Sequence, residues 1–177
     1  AQNKPNAMLV GPAGTGKTKI VEDIAYRLTT NDPILPDILR GYTIYELPLS
    51  NIVSGSIFVG QVEEKLNSVI EFFKDPKNKA IMFIDEIHML ASDSQTYAKI
   101  AQILKPALAR GDIRCIGATT TQEAKELAAD PAFNRRFTRL IVDELTQEQT
   151  LEILKSIRGS LFLHYNTSPS CQITITD

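Results

Sequence analysis

Two rhythms of apolar and polar residues run through this chain. Unbroken apolar runs, Ala7-Met-Leu-Val10 and Ala80-Ile-Met-Phe-Ile84, have the form of strands, the second buried on both faces of a parallel sheet. Elsewhere apolar residues return every three or four positions, which predicts helices with one buried stripe. A polar segment, 1–6, precedes the first strand at 7–10. A helix follows with Ile20, Val21, Ile24, Ala25 and Leu28 on one face. Two prolines and a cluster of turn formers end it across residues 29–36. Residues 43–49 read as a second strand, and Pro48 near its end argues for a sheet edge, since proline cannot donate to a ladder.

Val62, Leu66, Val69, Ile70 and Phe73 mark a second helix, which stops at Asp75-Pro-Lys-Asn78. After the buried run 80–84 comes a helix over 96–109, with Pro106 expected to bend it. A fourth strand at 114–118, a short helix at 123–128 and a fifth strand at 140–142 follow. Thr146-x-x-Gln149 is a capping box opening a last helix with Leu151, Ile153, Leu154 and Ile157. Strand and helix alternate throughout, so the fold class is α/β with a mostly parallel sheet.

Composition changes this picture little. A chain of 177 residues, 43% hydrophobic and 23% charged, is an ordinary globular length and content for one domain. Nineteen basic and 21 acidic residues leave a net charge of −2, with no Lys/Arg cluster to suggest a nucleic-acid footprint. No apolar run in the sequence approaches membrane-spanning length, and no signal peptide is expected ahead of the first strand. Cys115 and Cys171 lack metal-ligand or redox spacing. Cys115 falls in a strand pattern, as a reduced core thiol would. A cytoplasmic protein, without nucleic-acid or membrane partners, is the expectation.

The chemistry concentrates where the first strand meets the first helix. Gly11-Pro12-Ala13-Gly14-Thr15-Gly16-Lys17-Thr18 is a P-loop, G-x-x-x-x-G-K-[ST], in the strand-then-helix setting that separates it from a chance match. The glycines let backbone N–H groups turn inward around phosphates, and the helix adds unpaired donors and its positive dipole end. Lys17 is placed for the β- and γ-phosphates of ATP, and the Thr18 hydroxyl for Mg²⁺.

Asp85 and Glu86 end the buried strand, where ligands bind in open α/β sheets. Asp85 suits a Mg²⁺ ligand, direct or through water, and Glu86 a group that polarises the attacking water. The fourth strand ends in Thr119-Thr-Thr121, from which a hydroxyl would reach either the γ-phosphate or the lytic water, or cap the next helix. Arg135-Arg136 follow Pro131. In a ring they would reach a neighbour's γ-phosphate as arginine fingers; on a plain surface they are solvated charges.

Taken in order, the P-loop, Asp85-Glu86-Ile-His88, Leu104-Lys-Pro-Ala-Leu-Ala-Arg-Gly111, Cys115-Ile-Gly-Ala-Thr-Thr120 and Arg135-Arg-Phe137 resemble the first AAA+ module of the Clp unfoldases, of ClpC and ClpB type. The resemblance covers nearly the whole chain. It implies a five-stranded sheet of order 5-1-4-3-2 and a hexameric ring that hydrolyses ATP to thread unfolded or tagged proteins through a channel. A Clp-type peptidase and adaptors are further implied partners. It assigns Thr119, less certainly Thr120, as the sensor of the γ-phosphate state and Arg135 and Arg136 as fingers.

The family's substrate-gripping loop, usually Lys-Tyr-Arg-Gly, matches Ile57-Phe58-Val59-Gly60. Phe58 keeps the aromatic grip, while both flanking charges are gone. Pro12-Ala13 replaces the family's proline one place later, Asn134 its Glu, and Ala124-Lys125 its Tyr-Arg. Loop 91–97 is short and lacks the usual glycines. His88 fits the pattern as a packing and hydrogen-bonding residue. Residues 1–177 are expected to be one large subdomain of a longer protein, without the helical lid, and weakly active alone. Two other functions remain open: a nucleic-acid motor or clamp loader on the same core, and an assembly subunit gated by nucleotide binding.

Overall fold

All five strands of the sheet run parallel, in the order β2-β3-β4-β1-β5, the expected order taken from the opposite edge. The computed structural model describes residues 6–54, 59–92 and 95–166. In chain order its elements are β1 (Asn6–Val10), α1 (Lys17–Thr29), β2 (Thr43–Glu46), α2 (Leu49–Ser54) and α3 (Val59–Lys74). Then follow β3 (Ala80–Ile84), α4 (Gln95–Arg110), β4 (Cys115–Thr119), α5 (Glu123–Ala129), α6 (Pro131–Arg136), β5 (Phe137–Ile141) and α7 (Gln147–Asn166). A 3-10 turn at Ile87–Ala91 follows β3.

The sheet is covered on both faces, as continuous apolar strands require. Met8, Val10, Met82 and Ile84 pack to one side with Leu66, Ile70, Leu104, Leu108 and Leu127 from the helices. Leu9, Phe83 and Ala118 point the other way, onto Val21 of α1. Asn6 Oδ1 accepts from the Cys115 N–H at 2.9 Å and fixes the shared start of β1 and β4. The register pairs Val10 with Thr119 and Ile84 with Gly117. The carboxyl ends of β1, β3 and β4 are therefore neighbours.

Two strands differ from the sequence reading. β2 ends at Glu46 rather than at residue 49, because Pro48 stops the ladder and its carbonyl accepts from Asn51 N–H as α2 begins. The strand is nevertheless an edge. β5 begins at Phe137 rather than at residue 140. Its start is decided by backbone pairing with β1 and the buried Phe137 ring, while the apolar Leu140 and Ile141 stay exposed. Pro106 lies inside α4 and has no N–H to give the Gln102 carbonyl.

Helix α6 is fastened to α4. Lys105 forms a half-buried ion pair with Asp130 at 2.8 Å and lies 6.0 Å over the Phe133 ring. Phe133 is fully buried, 5.6 Å from Phe137.

Residues 1–142 form one compact unit and 143–177 a second. Within the second, the Thr146 hydroxyl accepts from Gln149 N–H at 3.2 Å, and Gln149 Oε1 accepts from Thr146 N–H at 3.0 Å. This is the capping box read in the sequence. Leu151, Ile153, Leu154 and Ile157 of α7 are exposed. No helix among the described residues is long and apolar enough to cross a membrane.

Candidate functional site

The loop between β1 and α1 is shaped by two glycines in the left-handed region, Gly14 at φ 80° and Gly16 at φ 86°. A Cβ at Gly14 would meet nothing within 4 Å, so backbone conformation, not crowding, selects glycine there. Gly11 is different. Its Cβ would stand 2.0 Å from the Val142 carbonyl oxygen, so Gly11 is needed for the close approach of the chain beyond β5. Gly16 caps α1 without a side-chain bond, and no acid occupies the first turn. The helix therefore presents bare amides and an uncompensated positive end to an anion.

Lys17 Nζ donates to the carbonyls of Gly11 at 2.9 Å and Pro12 at 2.6 Å, and the Thr15 hydroxyl donates to Pro12 at 3.0 Å. The lysine thus rests on its own loop, with its charge at the mouth of the cleft.

Facing the loop is the end of β3. The Thr18 hydroxyl donates to Asp85 Oδ2 at 3.1 Å, and the other carboxylate oxygen accepts from Glu86 N–H at 2.9 Å. Asp85 is held from both sides. Glu86 sits at φ 50°, ψ 43°, a conformation that costs a non-glycine residue about 1 kcal/mol or more. Such strain is characteristic of functional positions.

The third wall is the end of β4. Thr119 is buried, and its carbonyl accepts from Gly11 N–H at 3.3 Å. Its hydroxyl lies 3.3 Å from His88 Nδ1 and 3.4 Å from Glu123 Oε2. Thr120 and Glu123 are bonded to each other across the turn that leads into α5: Glu123 accepts from Thr120 N–H at 3.2 Å and from its hydroxyl at 2.7 Å. His88 Nδ1 is 3.1 Å from the same Glu123 oxygen. Burial alone would raise the Glu123 pKa. The Thr120 hydroxyl and amide, the His88 charge and the Thr119 hydroxyl outweigh burial and hold it below the ordinary carboxylate value.

These walls enclose a cleft of about 410 Å³ lined by Ala13, Gly14, Gly16, Lys17, Thr18, Asp85, Glu86, Thr119 and Glu123. The sequence-predicted P-loop, acidic pair and strand-terminal threonine thus meet in one place. Arg135 and Arg136 do not line it; they end α6, Arg135 exposed and Arg136 half-buried. Phe58 lies outside the described residues, and Gly60 falls in the first turn of α3. Glu123 was not singled out as a site residue from the sequence, although the T-x-x-E spacing of a capping box was there to find.

A P-loop at the carboxyl ends of three neighbouring strands, with an acidic pair and a polar strand end around one cleft, defines a nucleotide-binding α/β domain. Residues 7–145 match the ATPase family associated with various cellular activities (AAA), and the chain belongs to that family. It is 40% identical over 177 residues to chaperone protein ClpB 2 of Parasynechococcus marenigrum strain WH8102, covering 99% of this chain and 19% of that protein. Among solved structures, it matches the S. cerevisiae Hsp104:casein complex in its extended conformation with a TM-score of 0.79 and 36% identity, over 94% of this chain and 28% of that one. The S. cerevisiae Hsp104-ADP complex gives a TM-score of 0.80 and 37% identity, over 93% of this chain and 23% of that one. The chain therefore spans between 19% and 28% of the length of these relatives.

Proposed function

We propose that this chain is the ATP-hydrolysing large subdomain of a longer, ring-forming protein disaggregase or unfoldase of the ClpB type. The observation that carries the reading is the convergence of Lys17, Thr18, Asp85 and Glu86 on one cleft beneath an uncapped helix start. In this reading the loop from Gly11 to Thr18 cups the phosphates, and Lys17 leaves the Gly11 and Pro12 carbonyls for the β- and γ-phosphates. Thr18 and Asp85 hold Mg²⁺. A cation that takes one or two protein oxygens and completes its shell with phosphate and water fits a hydroxyl and one carboxylate. Glu86 accepts a proton from the attacking water.

Arg135 and Arg136 reach the γ-phosphate bound by a neighbouring subunit, which accounts for their position away from this chain's own cleft. Six copies form the ring, and Phe58 with Gly60 meets the polypeptide in its channel. The casein complex of the Hsp104 neighbour supports a protein substrate. A cytoplasmic location, and any Clp-type peptidase or adaptor, belong to the same proposal. The ClpB relatives weigh against a nucleic-acid motor.

The test is Glu86→Gln in the full chain. Phosphate release should fall by about 10²–10⁴ while ATP and substrate remain bound. Unchanged turnover would remove Glu86 from its role.

A further inference from the structure

A second recess lies at the amino ends of the strands, at the opposite end of the sheet from the nucleotide cleft. Its volume is about 140 Å³, and its wall includes Tyr42, Lys74, Asp75, Lys79, Asp112 and Arg114. Lys79 stands immediately before β3 and Arg114 immediately before β4. Lys79 and Asp85, at the two ends of β3, are therefore roughly 20 Å apart.

The recess is built on fixed backbone. The Lys79 carbonyl accepts from Thr43 N–H at 2.9 Å and the Arg114 carbonyl from Met82 N–H at 2.9 Å, which ties both residues to the sheet. Lys79 holds φ 43° and ψ 49°, a left-handed conformation that costs a lysine about 1 kcal/mol or more. Its ammonium donates to the Arg40 carbonyl at 3.1 Å. A Cβ at Gly41, itself at φ 78°, would stand 3.3 Å from that nitrogen, so the loop ahead of β2 is shaped around the lysine.

Charge decides what the recess can hold. Lys74 is paired with Glu71 at 2.7 Å and Asp112 with Arg110 at 2.8 Å, while Asp75 accepts from Lys77 N–H at 2.9 Å. Lys79 and Arg114 have no carboxylate partner among the described residues. Lys79 has used one of its three donors on Arg40. The guanidinium carbon of Arg114 lies 5.1 Å from the centre of the Tyr42 ring. The ring covers one face of the guanidinium and leaves the N–H fork at its edge for a planar, two-oxygen acceptor. Three cations against two carboxylates give this wall one net positive charge. One carboxylate neutralises it; a phosphate dianion would leave excess negative charge beside Asp75 and Asp112.

We propose that this recess is a carboxylate-binding site, separate from the nucleotide cleft, in which Arg114 takes both oxygens and Lys79 supplies the second cation. The occupant is a small free carboxylate or an acidic side chain of a polypeptide, which the same groups would recognise.

The experiment is an NMR titration of the full chain, read at the backbone amides of residues 79 and 114, with thermal unfolding as a check on folding. The probes are sodium acetate, an end-capped Gly-Glu-Gly peptide, its Gly-Gln-Gly counterpart and inorganic phosphate, with sodium chloride at matched ionic strength as the control. The glutamate peptide should give saturable shifts and bind at least about tenfold tighter than the glutamine peptide, the size expected for hydrogen bonds to a charged group. Arg114→Lys keeps the charge but loses the fork, and should weaken binding about tenfold. Lys79→Asn should weaken it similarly, since asparagine tolerates the left-handed backbone but carries no charge. Lys77→Ala removes a nearby charge outside the recess and should bind like the parent.

Acetate binding as tight as that of the glutamate peptide would identify a small carboxylate as the occupant, and clearly tighter peptide binding a polypeptide. Equal shifts with sodium chloride or with the glutamine peptide would mean a diffuse salt effect and overturn the inference. So would tighter binding of phosphate, an equal loss in Lys77→Ala, or undiminished binding in Arg114→Lys and Lys79→Asn. Saturating ATP and magnesium should leave the titration unchanged; displacement by ATP would put the carboxylate in the nucleotide cleft and end the claim of a separate site.

Discussion

The Thr18 hydroxyl donates to Asp85 Oδ2 at 3.1 Å across 67 residues of sequence, joining the start of α1 to the end of β3. Both groups are oxygen ligands of the kind magnesium selects. Removing the hydroxyl with Thr18→Val should weaken nucleotide binding in magnesium by about ten- to hundredfold, the range for a bond to a charged partner. In EDTA the variant and the parent should bind alike. A fluorescent-nucleotide titration under both conditions checks this, and an equal loss in EDTA would mean that Thr18 merely braces Asp85.

Gly117 should resist enlargement. A Cβ there would stand 2.8 Å from Ile87 Cδ1 and 3.1 Å from its Cγ2, and Ile87 is fully buried. Gly117→Ala is expected to cost about 1–3 kcal/mol through overpacking, read as a lower urea midpoint. Because Ile87 stands between Glu86 and His88, turnover should fall along with stability.

The thiol of Cys115 is buried and free, and burial pushes its pKa far above the ordinary cysteine value. In a Cys171→Ser background it should stay unlabelled by a thiol reagent at neutral pH and react fully in denaturant. Rapid labelling of the native protein would show that β4 opens on its own.

Glu123 supplies a pH signature. Its folded-state pKa is lowered from 4.5, so its ionised form stabilises the fold above the ordinary carboxylate range. That contribution is lost as pH falls through the lower, folded value. The parent should be more stable than Glu123→Gln at pH 7, and the two should converge below about pH 4.5. Urea midpoints across that range measure the gap; a gap that widens in acid would reverse the sign.

Where local chemistry and tertiary structure agree, the sequence could be read directly. The P-loop carries its own turn residues, and Asp85 and Glu86 follow a run too apolar to lie anywhere but mid-sheet. β2 was read too long because apolar residues continue past the point where Pro48 breaks the ladder. β5 was read too short because it is an edge, where Thr138 and Arg139 face outward and pairing with β1 sets the length. The His88–Glu123 contact joins residues 35 apart on separate elements, and no spacing rule reports that. The Lys105–Asp130 pair was hidden for the same reason.

That last pair has a mechanical consequence. Helix α4 sets out shortly after the acidic loop and is riveted near its far end, by Lys105, Asp130 and the Phe133 ring, to the short helix bearing Arg135 and Arg136. A rod pinned in this way transmits displacement instead of absorbing it. In the ring proposed above, a shift at the cleft of one subunit would swing Arg135 and Arg136, and the timing of neighbouring sites would be geared through this joint.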